Sequence, residues 1–204
     1  MSVKRWMIPV GVAGVAGLAV LASILGRNTV KPEESRTATA PASKSSPAGD
    51  GSNALVEHRD DAGFSLSYPG SWRRVQAADP QVHLLVAPNE SDSFQLRVVP
   101  LAASISEADL PAVKELTDQV VTSGAGVQPV GTPRQISVDG LPGWYYLYRF
   151  TDKATGTTGI HSHYFIFHGD KMITFVFQAL PETSFEGLAP VFDQIVSTFK
   201  VTGR

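Results

Sequence analysis

There is no cysteine anywhere in the 204 residues. That excludes a disulfide framework, a thiolate zinc site, a cysteine nucleophile and a lipid-modified cysteine. Sequence signatures of catalysis are missing too. The chain has no Gly-x-Ser-x-Gly elbow and no Gly-x-x-x-x-Gly-Lys phosphate loop, and Gly124-Ala-Gly126 lacks the third glycine of a dinucleotide fingerprint. Nor is there a basic stripe. Eleven Lys and Arg stand against sixteen Asp and Glu after residue 50, whereas the first fifty residues hold six against three. An acidic domain argues against nucleic acid as partner. The expectation is a protein without enzymatic activity and without a cofactor.

The features that are present begin with a leader. Residues 1–5 carry Lys4 and Arg5, and residues 6–26 form an uncharged run of 21 residues, close to the roughly 20 that a helix needs to cross a bilayer. The run is either a transmembrane signal-anchor or a cleaved signal peptide, with Val20 and Ala22 as the small residues before the cut. Either one exports the rest of the chain. Residues 27–53 are rich in Ser, Thr, Pro, Ala and Gly and have no apolar face to bury, so they read as a disordered linker. Residues 54–204 remain for one folded domain, enough for a sizeable core.

Period-2 alternation marks the strands of that domain. Phe64, Leu66 and Tyr68 alternate with Ser65 and Ser67 up to Pro69-Gly70, and Trp72 is placed to cap a core. Residues 82–87 and 93–101 read as two further strands, residues 134–138 and 143–151 as two more. Residues 159–179 form a hairpin around Gly169-Asp170, where Gly at the first loop position suits a type II′ turn. With His168 facing Lys171, the register sets Phe165 against Thr174, His163 against Val176 and His161 against Gln178. One face is then apolar through Tyr164, Ile166, Ile173, Phe175, Phe177 and Ala179, and the other is mixed. Helical spacing of Leu110, Val113, Leu116, Val120 and Val121 predicts a helix ending at Gly124, with Ser106 or Asp109 as N-cap. Phe185, Leu188, Phe192, Ile195, Val196 and Phe199 predict a closing helix. Pro190 belongs in its first turn, which puts the regular start near Gly187.

Laid out in order, these pieces resemble the PsbP-like family of the Mog/PsbP fold. The resemblance rests on the opening Gly63-Phe-Ser-Leu-Ser-Tyr-Pro-Gly-Ser-Trp72, the Gly140-Leu-Pro-Gly143 turn entering an aromatic strand, the strand-Gly-Asp-Lys-strand hairpin, and the ending Phe192-Asp-Gln-Ile-Val-Ser-Thr-Phe-Lys-Val201. It covers roughly residues 55–203. It implies an α+β fold, an α/β/α sandwich whose central, mainly antiparallel sheet has about six strands with helices on both faces; the run at 6–26 sets one N-terminal transmembrane helix ahead of it. Fold alone transfers no function, and no functional residue is carried over.

Two groups of residues have chemical character. His161 and His163 alternate on one strand, so both imidazoles project from the same face as candidate metal ligands; a third ligand is missing from the local sequence. Tyr146, Tyr148 and Arg149 mark a candidate ligand or partner face, with Asp152 as a candidate carboxylate for Arg149. The acid pair Asp60-Asp61 reads as solvated turn residues. The function these features point to is a membrane-tethered, extracytoplasmic module of a bacterial envelope that binds or helps assemble a protein partner. The alternative is an exported domain that binds a small molecule or metal.

Overall fold

The computed structural model describes residues 54–124 and 126–202. The leader at 6–26 and the linker at 27–53 lie outside the described residues. Among the described residues no helix is long and apolar enough to cross a membrane.

The described residues form eleven strands and two α-helices in order: β1 (Leu55–Asp60), β2 (Phe64–Pro69), β3 (Arg73–Arg74), β4 (Val82–Ala87), β5 (Ser93–Pro100), α1 (Leu110–Thr122), β6 (Gln128–Pro129), β7 (Arg134–Val138), β8 (Leu141–Thr151), β9 (Thr158–His168), β10 (Lys171–Ala179), α2 (Phe185–Ser197) and β11 (Lys200–Val201). The large sheet runs β3-β4-β5-β10-β9-β8, and both β6 and β7 pair along the remaining edge of β8. Every pairing is antiparallel. Leaving out the two-residue strands β3 and β6, six strands make up this sheet. A smaller sheet, β1-β2-β11, joins the two ends of the domain. The fold is α+β with a mainly antiparallel sheet, as expected.

The hairpin β9–β10 has the expected register, from Lys171 against His168 to Gln178 against His161. Gly169 has a φ of 57° while Asp170 is not left-handed, which is the signature of a type II′ turn. The alternation of that hairpin then sorts the core. Ile166, Ile173, Phe175 and Phe177 face Phe192, Ile195 and Phe199 of α2 and its exit, together with Phe64, Leu66 and Trp72. On the other face Phe165, Phe167 and Met172 pack with Trp144, Tyr146 and Tyr148 under Leu110 and Val121 of α1. Each helix therefore covers one face of the sheet.

Three local expectations need correction. The β7–β8 turn is only Asp139-Gly140, with φ of 51° and 76°, and Leu141, Pro142 and Gly143 already belong to β8. Two consecutive left-handed residues make the type I′ turn that suits the twist of paired strands, so the hairpin closes without a longer loop. In α1, Thr117 is fully buried while Leu116 is only half-buried, because the Thr117 hydroxyl meets that of Tyr146 at 2.6 Å beneath the helix. Finally, α2 starts at Phe185 and Pro190 lies inside it. The proline forfeits the single bond to the Glu186 carbonyl, and burial of Phe192 and Ile195 outweighs that loss.

Gly143 sits between Ile136 of β7 and Ile166 of β9. A Cβ there would press into the Phe165 carbonyl oxygen, which belongs to backbone and has little room to give. Gly143→Ala is expected to cost about 1–3 kcal/mol as overpacking. An unchanged urea midpoint for that variant would show that β8 and β9 separate freely at this point.

Candidate functional site

Buried Tyr148, His161, His163 and Gln178 share the face of the large sheet that α1 covers. Cross-strand pairing sets Tyr148 beside His161 and Tyr146 beside His163, and on the far side Gln178 beside His161. The Tyr148 hydroxyl stands between the two imidazoles, 3.3 Å from Nδ1 of each. His161 Nε2 lies 3.0 Å from Gln178 Oε1, and Gln178 Nε2 donates to the Ser91 carbonyl at 2.7 Å. Ser91 belongs to the β4–β5 turn. There the Asn89 side chain accepts from the Ser91 and Asp92 N–H groups, and Asp92 accepts from Leu180 N–H and the Ser184 hydroxyl. That turn is thereby pinned to the approach of α2.

Aromatic rings clamp both histidines. Phe150 stacks on His161 with centroids 4.1 Å apart, and Phe165 on His163 at 4.0 Å. Gly159 makes the first stack possible, since a side chain there would occupy the space of the Phe150 ring. Enclosed in this way, both imidazoles resist protonation. Burial lowers the pKa of His161 to about 4, against the weaker opposing effect of the Gln178 bond. Burial first, then the charges of His161 and Arg97, hold His163 well below the ordinary histidine value. Burial likewise pushes the Tyr148 phenol up. Near neutral pH the whole row is uncharged.

The sequence expectations fare differently in this setting. His161 and His163 do project from one face, yet a tyrosine hydroxyl separates them. No group of three His, Cys, Asp or Glu side chains suited to hold a metal ion occurs among the described residues. Tyr146, Tyr148 and Arg149 are not brought to one surface. Tyr148 is sealed in the row, and Tyr146 donates to Asp118 of α1 at 2.7 Å. Arg149 has the opposite parity and grips Glu182, with Nε 2.7 and 2.9 Å from the two carboxylate oxygens. Asp152 instead closes its own turn by accepting from the Thr155 N–H and hydroxyl. The Arg149–Glu182 pair is 41% and 34% exposed, so Arg149→Met is expected to shift stability by less than about 1 kcal/mol. A larger drop in the thermal midpoint would mean that the pair positions the turn ahead of α2.

Sequence reasoning missed a second cluster. His58, Asp60 and His83 line an open concavity of about 600 Å3 together with Arg59, Asp61, Ala62 and Arg74. Asp60 is no solvated turn residue: its oxygens lie 3.3 Å from His58 Nε2 and 2.9 Å from His83 Nδ1, and Oδ1 accepts the Ala62 N–H at 2.8 Å. Burial would raise its pKa, but these hydrogen bonds and the His83 charge outweigh that and hold it below the ordinary range. Alternation on β1 puts His58 and Asp60 on one face, which was legible. That His83 of β4 meets them was not, because it depends on how the two sheets join.

The chain matches no family model and no curated protein sequence. Solved structures do match it. Cyanobacterial PsbP (CyanoP) from Synechocystis sp. PCC 6803 is 19% identical, with 77% of this chain and 98% of that one covered at a TM-score of 0.51. The fold is PsbP-like. LpqN, involved in cell envelope biogenesis of Mycobacterium tuberculosis, is 14% identical over 74% of this chain and 93% of its own, with a TM-score of 0.53. A Bacteroides thetaiotaomicron protein matches at 14% identity and a TM-score of 0.53, and this chain spans only 48% of its length. The PsbP-like fold explains why one sheet carries a helix on each side, and it leaves the role of the histidine row to be argued from its chemistry.

Proposed function

We propose that this PsbP-like chain is a non-catalytic, envelope-associated module that binds or helps assemble a protein partner, tethered to a membrane through residues 6–26 with the domain outside the cytoplasm. The observation that carries the reading is the uncharged 21-residue run behind Lys4 and Arg5, succeeded by a linker and a single folded domain. The likeness in fold to LpqN, a protein of cell envelope biogenesis, supports the same setting. The acidic balance of the domain makes a protein a better partner than nucleic acid.

The test is a pull-down of the full-length, C-terminally tagged protein from gently solubilised membranes, with mass spectrometry of bait and prey. The expected result is a bait that retains peptide 6–26 and one stoichiometric protein partner. A bait that begins near Ser23 overturns the tether and makes the domain a secreted one. Recovery of the bait alone overturns the assembly role.

A further inference from the structure

The strand β1 is an edge. Among the described residues it pairs with β2 alone, so one of its sides has no strand beside it. Alternation decides which backbone groups lie there. The Ala54 and Asp60 carbonyls accept from Gly70 and Gly63 on the β2 side. The N–H and C=O groups of the even residues therefore turn towards β2, and those of Leu55, Glu57 and Arg59 turn outward. Such a row is a template for another strand. The side chains alternate as well. His58 and Asp60 take the face that meets His83 of β4, which leaves Glu57 and Arg59 on the solvent face, 47% and 74% exposed. There Arg59 Nη2 reaches Glu57 Oε1 at 3.1 Å.

Opposite charges two residues apart make this edge complementary to itself. Two copies of β1 that pair antiparallel are related by a two-fold axis. Residues facing each other must both be odd or both be even, since only then do outward N–H and C=O groups meet. The axis then passes through a residue, and two such registers join five of the six strand residues. An axis at Glu57 sets that carboxylate against its own copy, a like-charge pair that opposes association. An axis at His58 sets Glu57 opposite Arg59 of the second copy, and Arg59 opposite Glu57 of the second copy. Both pairs are then of opposite charge and on one face. Charges on an edge strand ordinarily discourage pairing; on β1 they discourage one register and favour its neighbour.

We propose that β1 pairs with β1 of a second copy of this chain, antiparallel about His58, and so joins the two small sheets into one. The order β1-β2-β11 in each copy makes the joined sheet six strands wide. A second copy is the occupant because a self-complementary strand satisfies both charges twice in one contact. The pairing needs neither the tether nor a different protein, so it stands or falls separately from the assembly role.

The test is sedimentation equilibrium of the full-length protein in density-matched detergent micelles. The expected result is a reversible equilibrium between monomer and dimer. Glu57→Arg and Arg59→Glu each turn both ion pairs into like-charge contacts, and each is expected to raise the dimer dissociation constant about tenfold or more. The double variant, Glu57→Arg with Arg59→Glu, restores opposite charges in the same register and is expected to return to within about threefold of the parent. Both side chains are exposed, so the variants are expected to fold, which a parent-like circular dichroism spectrum checks. Register is read with single cysteines, which the chain otherwise lacks. Glu57→Cys chains mixed with Arg59→Cys chains are expected to form a disulfide between unlike chains faster than either kind does alone. A monomer at every concentration overturns the proposal. A dimer indifferent to the single substitutions also overturns it, because association then lies elsewhere, as in residues 6–26. So does a double variant as weak as the single ones.

Discussion

Acidifying the protein from pH 8 to pH 5 is expected to lower its unfolding free energy by about 2 kcal/mol through His161 alone, with His163 adding to the loss. The folded pKa of His161 is about 4, against an ordinary value of 6.5. The unfolded chain binds a proton below pH 6.5 that the folded chain refuses, so stability falls as the pH drops from 6.5 towards 4. Each unit of pKa difference is worth about 1.4 kcal/mol, and the part realised by pH 5 gives the figure above. His163 and His58 are both lowered, with the same sign. Asp60 is held low in the folded state, so its contribution to stability is lost only at more acidic pH than this window. Urea unfolding followed by tryptophan fluorescence suits the measurement, because Trp72 and Trp144 are both buried. A midpoint that stays flat between pH 8 and pH 5 would sink the assignment of two neutral, enclosed histidines. His163→Leu removes one titrating group, and below pH 6 the slope is expected to drop by up to about 1.4 kcal/mol per pH unit.

Phe177→Ala carries the second large effect, a loss of about 3–5 kcal/mol. The ring is fully buried and links three elements. It stacks on Phe94 of β5 with centroids 4.5 Å apart and on Phe192 of α2 at 4.6 Å, and it meets Tyr164 of β9 edge-on at 5.9 Å. Truncation leaves a cavity that the sheet cannot collapse into, because Phe94 and Phe175 already brace each other at 5.7 Å. A loss of that size approaches half the stability of an ordinary domain. The variant should therefore unfold at a markedly lower urea midpoint; a midpoint near that of the parent would mean that α2 closes over the gap. Phe185, half-buried at the start of α2, is the comparison that should cost less.

Both effects depend on the hairpin β9–β10, whose register was legible in the sequence. Gly169 admits the left-handed turn, and strict alternation leaves one register that buries Ile166, Ile173, Phe175 and Phe177 together. The same alternation put His161, His163 and Gln178 on a common face. Their hydrogen bonding was not legible. As prospective metal ligands they lacked a third partner, whereas Tyr148, one strand over, turns them into a hydrogen-bonded row. Tyr148 was singled out as part of a candidate ligand or partner face, and nothing in its own strand says which of its neighbours it would bond. The start of α2 was misplaced for a related reason. Pro190 weighs against a helix locally, and only the packing of Phe192 and Ile195 against the sheet repays it.

Local chemistry along the chain controls the turn at Gly169-Asp170, the alternation that gives each strand two faces and the two apolar stripes of α1 and α2, and the order of these pieces carries the resemblance to PsbP-like proteins that the fold bears out. Tertiary structure alone decided which strands are neighbours across long stretches of chain. It placed Arg97 of β5 on the face of His163, set His83 of β4 against Asp60 of β1, and gave Arg149 to Glu182 rather than Asp152. The physical reason is the same in each case. A period of two fixes which face a side chain takes, but the partner it meets there is set by strand order, and strand order comes from the packing of the whole core.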